Sequence, residues 1–145
     1  MNETYSLTFC LVDDFDEDSV MRVRLLVGHV GKKGRWPVGR PSFFDEVDAD
    51  SATRPDDVPI RVVGGAVPLR RPGPSLSHRH DREDFERAST VVQRLTEFAK
   101  VVGVAFELYL GGQYVGRVQP DGPDRLVAEG LLGEWERSLR AKGDS

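Results

Sequence analysis

A single cysteine, Cys10, cannot close a disulfide within the chain, so no covalent staple supports the fold, as expected of a protein that works in a reducing compartment. Long apolar runs are missing too: none approaches the roughly 20 residues of a membrane-spanning helix. After Met1 come Asn2, Glu3 and Thr4 rather than the basic and apolar regions of a secretory signal, so a cytoplasmic address is expected. Glycine is plentiful at 15 residues, yet neither the phosphate-loop signature nor G-x-G-x-x-G occurs. The acidic segments carry no D-x-D-x-D-G calcium pattern closed by glutamate. An excess of positive charge is lacking as well. The net charge of −4 argues against a general nucleic-acid binder.

What is present describes one domain spanning residues 1–145. A chain of this length buries about 70% of its unfolded surface and needs no metal or disulfide to do so. Neither repeats nor low-complexity tracts divide it. The clearest pattern runs from Asp81 to Val118. Phe85, Ala88, Val92, Leu95, Ala99 and Val102 recur at steps of three and four, which predicts a long amphipathic helix widened by Val91 and Phe98. Gly103 supplies a left-handed stop. Phe106, Leu108 and Leu110 then alternate with Glu107 and Tyr109 as in a half-buried strand, and Gly111-Gly112 turns the chain into a returning strand, Tyr114–Val118.

Earlier in the chain, Tyr5, Leu7, Phe9 and Leu11 alternate with Ser6, Thr8 and Cys10, the period of a first strand. Asp14 and Glu17 suggest a capping box for a helix with the stripe Val20, Val23, Val27 and Val30, ended by Gly31 and Gly34. Pro37 and Pro41 restrict the next segment to an edge strand or an irregular path, and residues 45–57 read as a loop. Ile60–Leu69 predicts one strand with a glycine bulge, or two short ones about Gly64-Gly65. Pro123 suits the first position of a last helix with Ala128, Leu131, Leu132, Trp135 and Leu139 inward. The expected class is therefore α+β, an antiparallel sheet with helices packed on one face. Its order is the ferredoxin-like split βαβ arrangement with an extra C-terminal strand and helix.

Reactive constellations are sparse. His78 and His80 stand two apart, but a zinc site needs three or four ligands and the only other histidine, His29, is distant in sequence, so no metal is expected. Cys10 reads as a small buried hydrophobe rather than a nucleophile. No cofactor motif occurs, and no enzyme activity is expected. Charge, by contrast, is segregated. Six acids (Asp45, Glu46, Asp48, Asp50, Asp56 and Asp57) face a single Arg54 between residues 45 and 57, and Arg70, Arg71, Arg79 and Arg82 cluster in the next loop. Phe43 and Phe44 lie beside the acidic run. Steering charge next to aromatic anchors is the mixture of a protein-binding surface, so these two phenylalanines and six acids form the candidate partner site.

The segments Glu107-Leu-Tyr-Leu-Gly-Gly-Gln-Tyr-Val-Gly and Asp124-Arg-Leu-Val-Ala-Glu-Gly-Leu-Leu-Gly-Glu-Trp135, with the short acidic α+β build, resemble small stand-alone immunity proteins of bacterial toxin–immunity systems. The resemblance covers about the last forty residues and carries over no contact residue. It implies a cytoplasmic module that neutralises a cognate toxin by binding it, often with acidic residues that mirror a basic active site. The alternative is a regulatory domain that takes a small molecule or nucleic acid on the basic loop Arg70–Arg82, with Tyr109 or Tyr114 as stacking platforms.

Overall fold

Alternation of apolar and polar residues makes Ser6–Leu11 a strand, β1, and burial follows the alternation: Leu7, Phe9 and Leu11 are buried while Ser6, Thr8 and Cys10 are half-buried. The structure, a computed structural model, describes residues 5–12, 15–48 and 60–143. After β1 come α1 (Glu17–Lys33), β2 (Ser42–Asp48), β3 (Ile60–Pro68), α2 (His78–Val102), β4 (Phe106–Leu110), β5 (Gln113–Gln119) and the short β6 (Gly122–Pro123). A π-helical stretch, Leu126–Gly133, continues directly into α3, Glu134–Gly143.

The six strands form one antiparallel sheet in the order β2-β3-β1-β4-β5-β6. Each helical crossover skips a position: β1 and β2 flank β3, and β3 and β4 flank β1. The expected α+β class holds, with β5, β6 and the last helix added after the second crossover. The helices share one core with the sheet. Val20, Val23 and Val27 of α1 and Ala88, Val91, Val92, Leu95 and Ala99 of α2 pack with Leu7, Phe9, Val63, Val67, Phe106, Leu108 and Val118. Close packing also explains Gly64-Gly65. A Cβ on Gly65 would lie 2.5 Å from the Phe9 ring, and one on Gly64 only 1.8 Å from the Phe9 carbonyl oxygen. β3 is accordingly one continuous strand, and it crosses its neighbour where only glycine fits. Gly111 and Gly112 have φ of 59° and 85°, the paired positive angles of a two-residue hairpin.

Several local expectations are corrected. The cap of α1 is Asp16 rather than Asp14, its side chain accepting from the Ser19 amide at 2.8 Å. Gly31 does not end α1; it is buried inside the helix, 3.7 Å from Pro41 at its missing Cβ, and the helix runs on to Lys33. The first part of the acidic run is a strand, because residues 42–48 pair with β3 along their whole length. Pro123 pairs with Val118 in β6 instead of opening a helix, and Asp124 makes the cap by accepting from the Val127 amide at 3.0 Å. In the π-helical turns that follow, Val127 takes the inward place expected of Ala128, which is exposed, while Leu131 and Leu139 are buried and Leu132 and Trp135 pack against the core as expected.

Leu95 sits at the centre of the α2 stripe and is 1% exposed. Leu95→Ala should lower unfolding stability by about 2–5 kcal/mol, measured by denaturant titration. A loss below about 1 kcal/mol would mean that this helix face does not carry the core.

Candidate functional site on the exposed sheet face

Because α1, α2 and the C-terminal helix all pack on the same side, no described element covers the other face of the sheet. Its rows are set by the strand register. Thr8 and Cys10 of β1 lie opposite Ala66 and Gly64 of β3 and opposite Tyr109 and Glu107 of β4. On β5, Arg117 stands opposite Glu107, and Tyr114 opposite Tyr109. A bulge creates this pairing: the register shifts between Leu108 and Tyr109, leaving Val115 as the extra residue and bringing Arg117, not Gly116, beside Glu107.

The result is a connected polar and aromatic cluster. Tyr109 donates from its hydroxyl to Glu107 Oε2 at 2.8 Å, and Arg117 Nη2 donates to Glu107 Oε1 at 3.0 Å. The rings of Tyr109 and Tyr114 meet edge to face with centroids 5.7 Å apart. The hydrogen bond to Glu107, reinforced by burial, pushes the Tyr109 phenol up to about 12. Burial first, then the Glu107 carboxylate, raises the Cys10 thiol above its ordinary value. At neutral pH both groups are protonated. The cluster presents fixed donors, acceptors and ring faces, and its thiol is poorly nucleophilic.

The sequence-predicted partner residues divide between the two faces of β2. Phe43 lies opposite Gly65 on the helix side, half-buried against the core. Asp45, on the same side, is held by Arg61, whose Nε and Nη2 donate to its two oxygens at 2.8 and 2.6 Å. Arg61 also binds Glu17 at the start of α1 and lies over the Phe15 ring, 5.8 Å from its centroid. These bonds hold the carboxyls of Asp45 and Glu17 below their ordinary values. Phe44 and Glu46 alternate onto the exposed face, Phe44 half-buried and Glu46 solvated. Asp48 ends the strand, paired with Ile60. Asp50, Asp56 and Asp57 lie outside the described residues. β2 is the sheet's edge, and its outer side is unpaired among the described residues.

Of the basic stretch, Arg70 is drawn inward, while Arg79 and Arg82 stay exposed on the first turns of α2. Asp84, 1% exposed, accepts from the Arg70 amide at 3.0 Å and from Arg70 Nη1 at 3.2 Å, with Arg87 Nη1 3.7 Å away. Burial outweighs these partners and raises its carboxyl. Arg79 pairs with Glu83, and Arg82 with Glu86. His78 Nε2 lies 3.0 Å from the Leu139 carbonyl, and Trp135 donates to Asp81 at 2.7 Å. Beside Arg70, a cleft of about 490 Å³ is walled by Tyr5, Tyr114, Trp135 and the exposed Gly130. No neighbour within 4 Å explains Gly130, so close packing of a strand or helix is not its reason. Among the described residues, no group of three or more His, Cys, Asp or Glu could hold a metal, and no helix is long and apolar enough to cross a membrane.

Sequence reasoning singled out Tyr109 and Tyr114 as sheet-face residues but missed Cys10, Glu107 and Arg117 as their neighbours. Alternation placed Glu107 and Tyr109 on one face; nothing in the sequence announced the bulge. No protein-family model, curated protein or solved structure matches the chain.

Two measurements check these electrostatics. The folded pKa values of Asp45 and Glu17 are depressed, so the Arg61 network contributes fully above the ordinary values of 3.8 and 4.5 and fades as pH falls through the lower folded values. Arg61→Gln should therefore lower the melting temperature at neutral pH, with the gap to wild type closing in acid. A constant gap would contradict the network. Glu107→Gln should move the pH midpoint of Cys10 alkylation down toward, without reaching, 9.0, because burial persists after the charge is gone. An unchanged midpoint would show that the carboxylate does not act on the thiol.

Proposed function

We propose that the chain is a non-enzymatic protein-binding module of the immunity type, which neutralises a cognate bacterial toxin in the cytoplasm by direct contact. The observation that carries this reading is the helix-free sheet face, which runs from Tyr114 and Arg117 through Thr8 to Phe44 and Glu46 at an open strand edge. Tyrosine and arginine are the residue types that dominate binding energy at protein interfaces, and here their geometry is set in advance by Glu107. Glu46 of β2 adds negative charge at the edge of the same face, the complement of a basic active site. The protonated thiol and phenol favour recognition over catalysis at this face.

The second reading is a small ligand seated in the 490 Å³ cleft beside Arg70, with the rings of Tyr5 and Trp135 as its walls. It has less charge to offer an anionic ligand or nucleic acid, because Arg70, Arg79 and Arg82 are ion-paired within the protein.

The test is association kinetics with the protein encoded beside this chain's gene, at low and physiological salt. The pair Tyr114→Ala and Arg117→Ala should weaken the complex by about 2 kcal/mol or more, roughly thirtyfold in Kd, mainly through faster dissociation. Asparagine at Asp48, Asp50, Asp56 and Asp57 should instead slow association and flatten its salt dependence. Wild-type kinetics for both sets would remove this face from the interface.

A further inference from the structure

On the helix side of the protein, α1 and α2 leave an open groove between them. Its volume is about 830 Å³. Leu25 of α1 and Val101 of α2 border it at 66% and 81% exposure, and the half-buried Leu26 and Phe98 also line it. The rim is basic. Arg22, Arg24, His29, Lys32 and Arg94 surround these apolar residues, with Glu97 the one acidic residue among them. Arg22 is paired with Asp18 and Arg94 with Glu97, while Arg24 and Lys32 form no ion pair with a described residue. This is a local reversal of sign in a chain of net charge −4.

Gly28 lies on the same groove. Glycine within a helix costs about 1 kcal/mol relative to alanine, and nothing lies within 4 Å of the position its Cβ would take. No packing contact accounts for it; its effect is to leave backbone and space open to an occupant.

From this juxtaposition we infer that the α1–α2 groove is a second docking surface, which receives an acidic amphipathic helix of a protein partner. An apolar floor between two helices accepts the apolar face of a third, and the basic rim selects one whose flanks carry Asp and Glu. Nucleic acid is less well matched, because Leu25, Val101 and Phe98 offer nothing to a phosphate backbone. The lining residues of α1 run from Arg22 to Lys32, about 15 Å at 1.5 Å per residue, so an occupant of about three to four turns spans the groove. The surface is separate from the exposed sheet face and does not depend on the reading of that face.

The experiment is fluorescence anisotropy on the whole chain. The probe is a labelled, end-capped peptide of about four turns with leucine at i, i+3, i+4 and i+7 and glutamate elsewhere. Saturable, salt-sensitive binding is expected, with a lysine-for-glutamate peptide at least about tenfold weaker. Gly28→Leu should fill the groove and Lys32→Glu should reverse part of its rim, each weakening the glutamate peptide by about tenfold or more. Gly28→Ala, with circular dichroism and melting curves, controls for folding. Tyr114→Ala with Arg117→Ala should leave peptide binding unchanged. Equal binding of the two peptides, or wild-type affinity in both groove variants, would overturn the inference. So would preferential binding of phosphatidylserine vesicles or a DNA duplex, or a self-association abolished by Val101→Glu.

Discussion

The apolar contact between α2 and the middle of the sheet is what the other elements depend on. Ala88, Val91, Val92, Leu95 and Ala99 present a stripe broad enough to cover Leu7 and Phe9 of β1 and Phe106 and Leu108 of β4. Phe106 stands at the junction, its ring 5.7 Å from both Phe9 and Phe98. The pleat permits this only on one side of each strand, so the same alternation that builds the core sends Thr8, Cys10, Glu107 and Tyr109 to the opposite face. With every helix on the core side, the far face of the sheet is left to other uses. The candidate site is thus a consequence of how the core is made.

Buried charge fixes the geometry at one end of that contact. Asp84 lies within the apolar layer and is tolerated because the amide and guanidinium of Arg70 and the guanidinium of Arg87 surround it. An ion pair taken out of water contributes little net stability, but removing one partner leaves an uncompensated charge, so such a pair constrains where the chain can pass. Here it binds the loop after β3 to the first turns of α2. Asp81 does the same for the C-terminal helix through Trp135, whose ring meets Phe85 at 5.6 Å. Arg70, which in sequence belongs to a candidate ligand surface, forms the inner side of this lock, while Arg79 and Arg82 remain exposed on α2.

Two surfaces of opposite character remain. The sheet face offers tyrosines, an arginine and the acidic end of β2, with the register holding them in place. The α1–α2 groove offers apolar residues under a basic rim. The two lie on opposite sides of the sheet.

The sequence alone determined the α2 stripe, the alternation of β1 and β4 and the Gly111-Gly112 turn, because these are short-range patterns with periods imposed by the backbone itself. It also placed Glu107 and Tyr109 on one face. It misjudged the capping of α1 and the start of the last helix, where several neighbouring residues offer similar chemistry and tertiary contacts choose among them. Only the tertiary structure decided the fate of the charges. Asp45 belongs to Arg61, 16 residues away, and Arg70 to Asp84, and no local pattern encodes either pairing. The candidate site shows the same division. A plain two-residue hairpin would set Gly116 opposite Glu107, but the bulge at Val115 turns Arg117 there instead. A shift of one residue reverses the face that a side chain occupies, and Gly116, next to the bulge, has a φ of 127° and packs so closely on the C-terminal helix that a Cβ there would lie 2.7 Å from Val127.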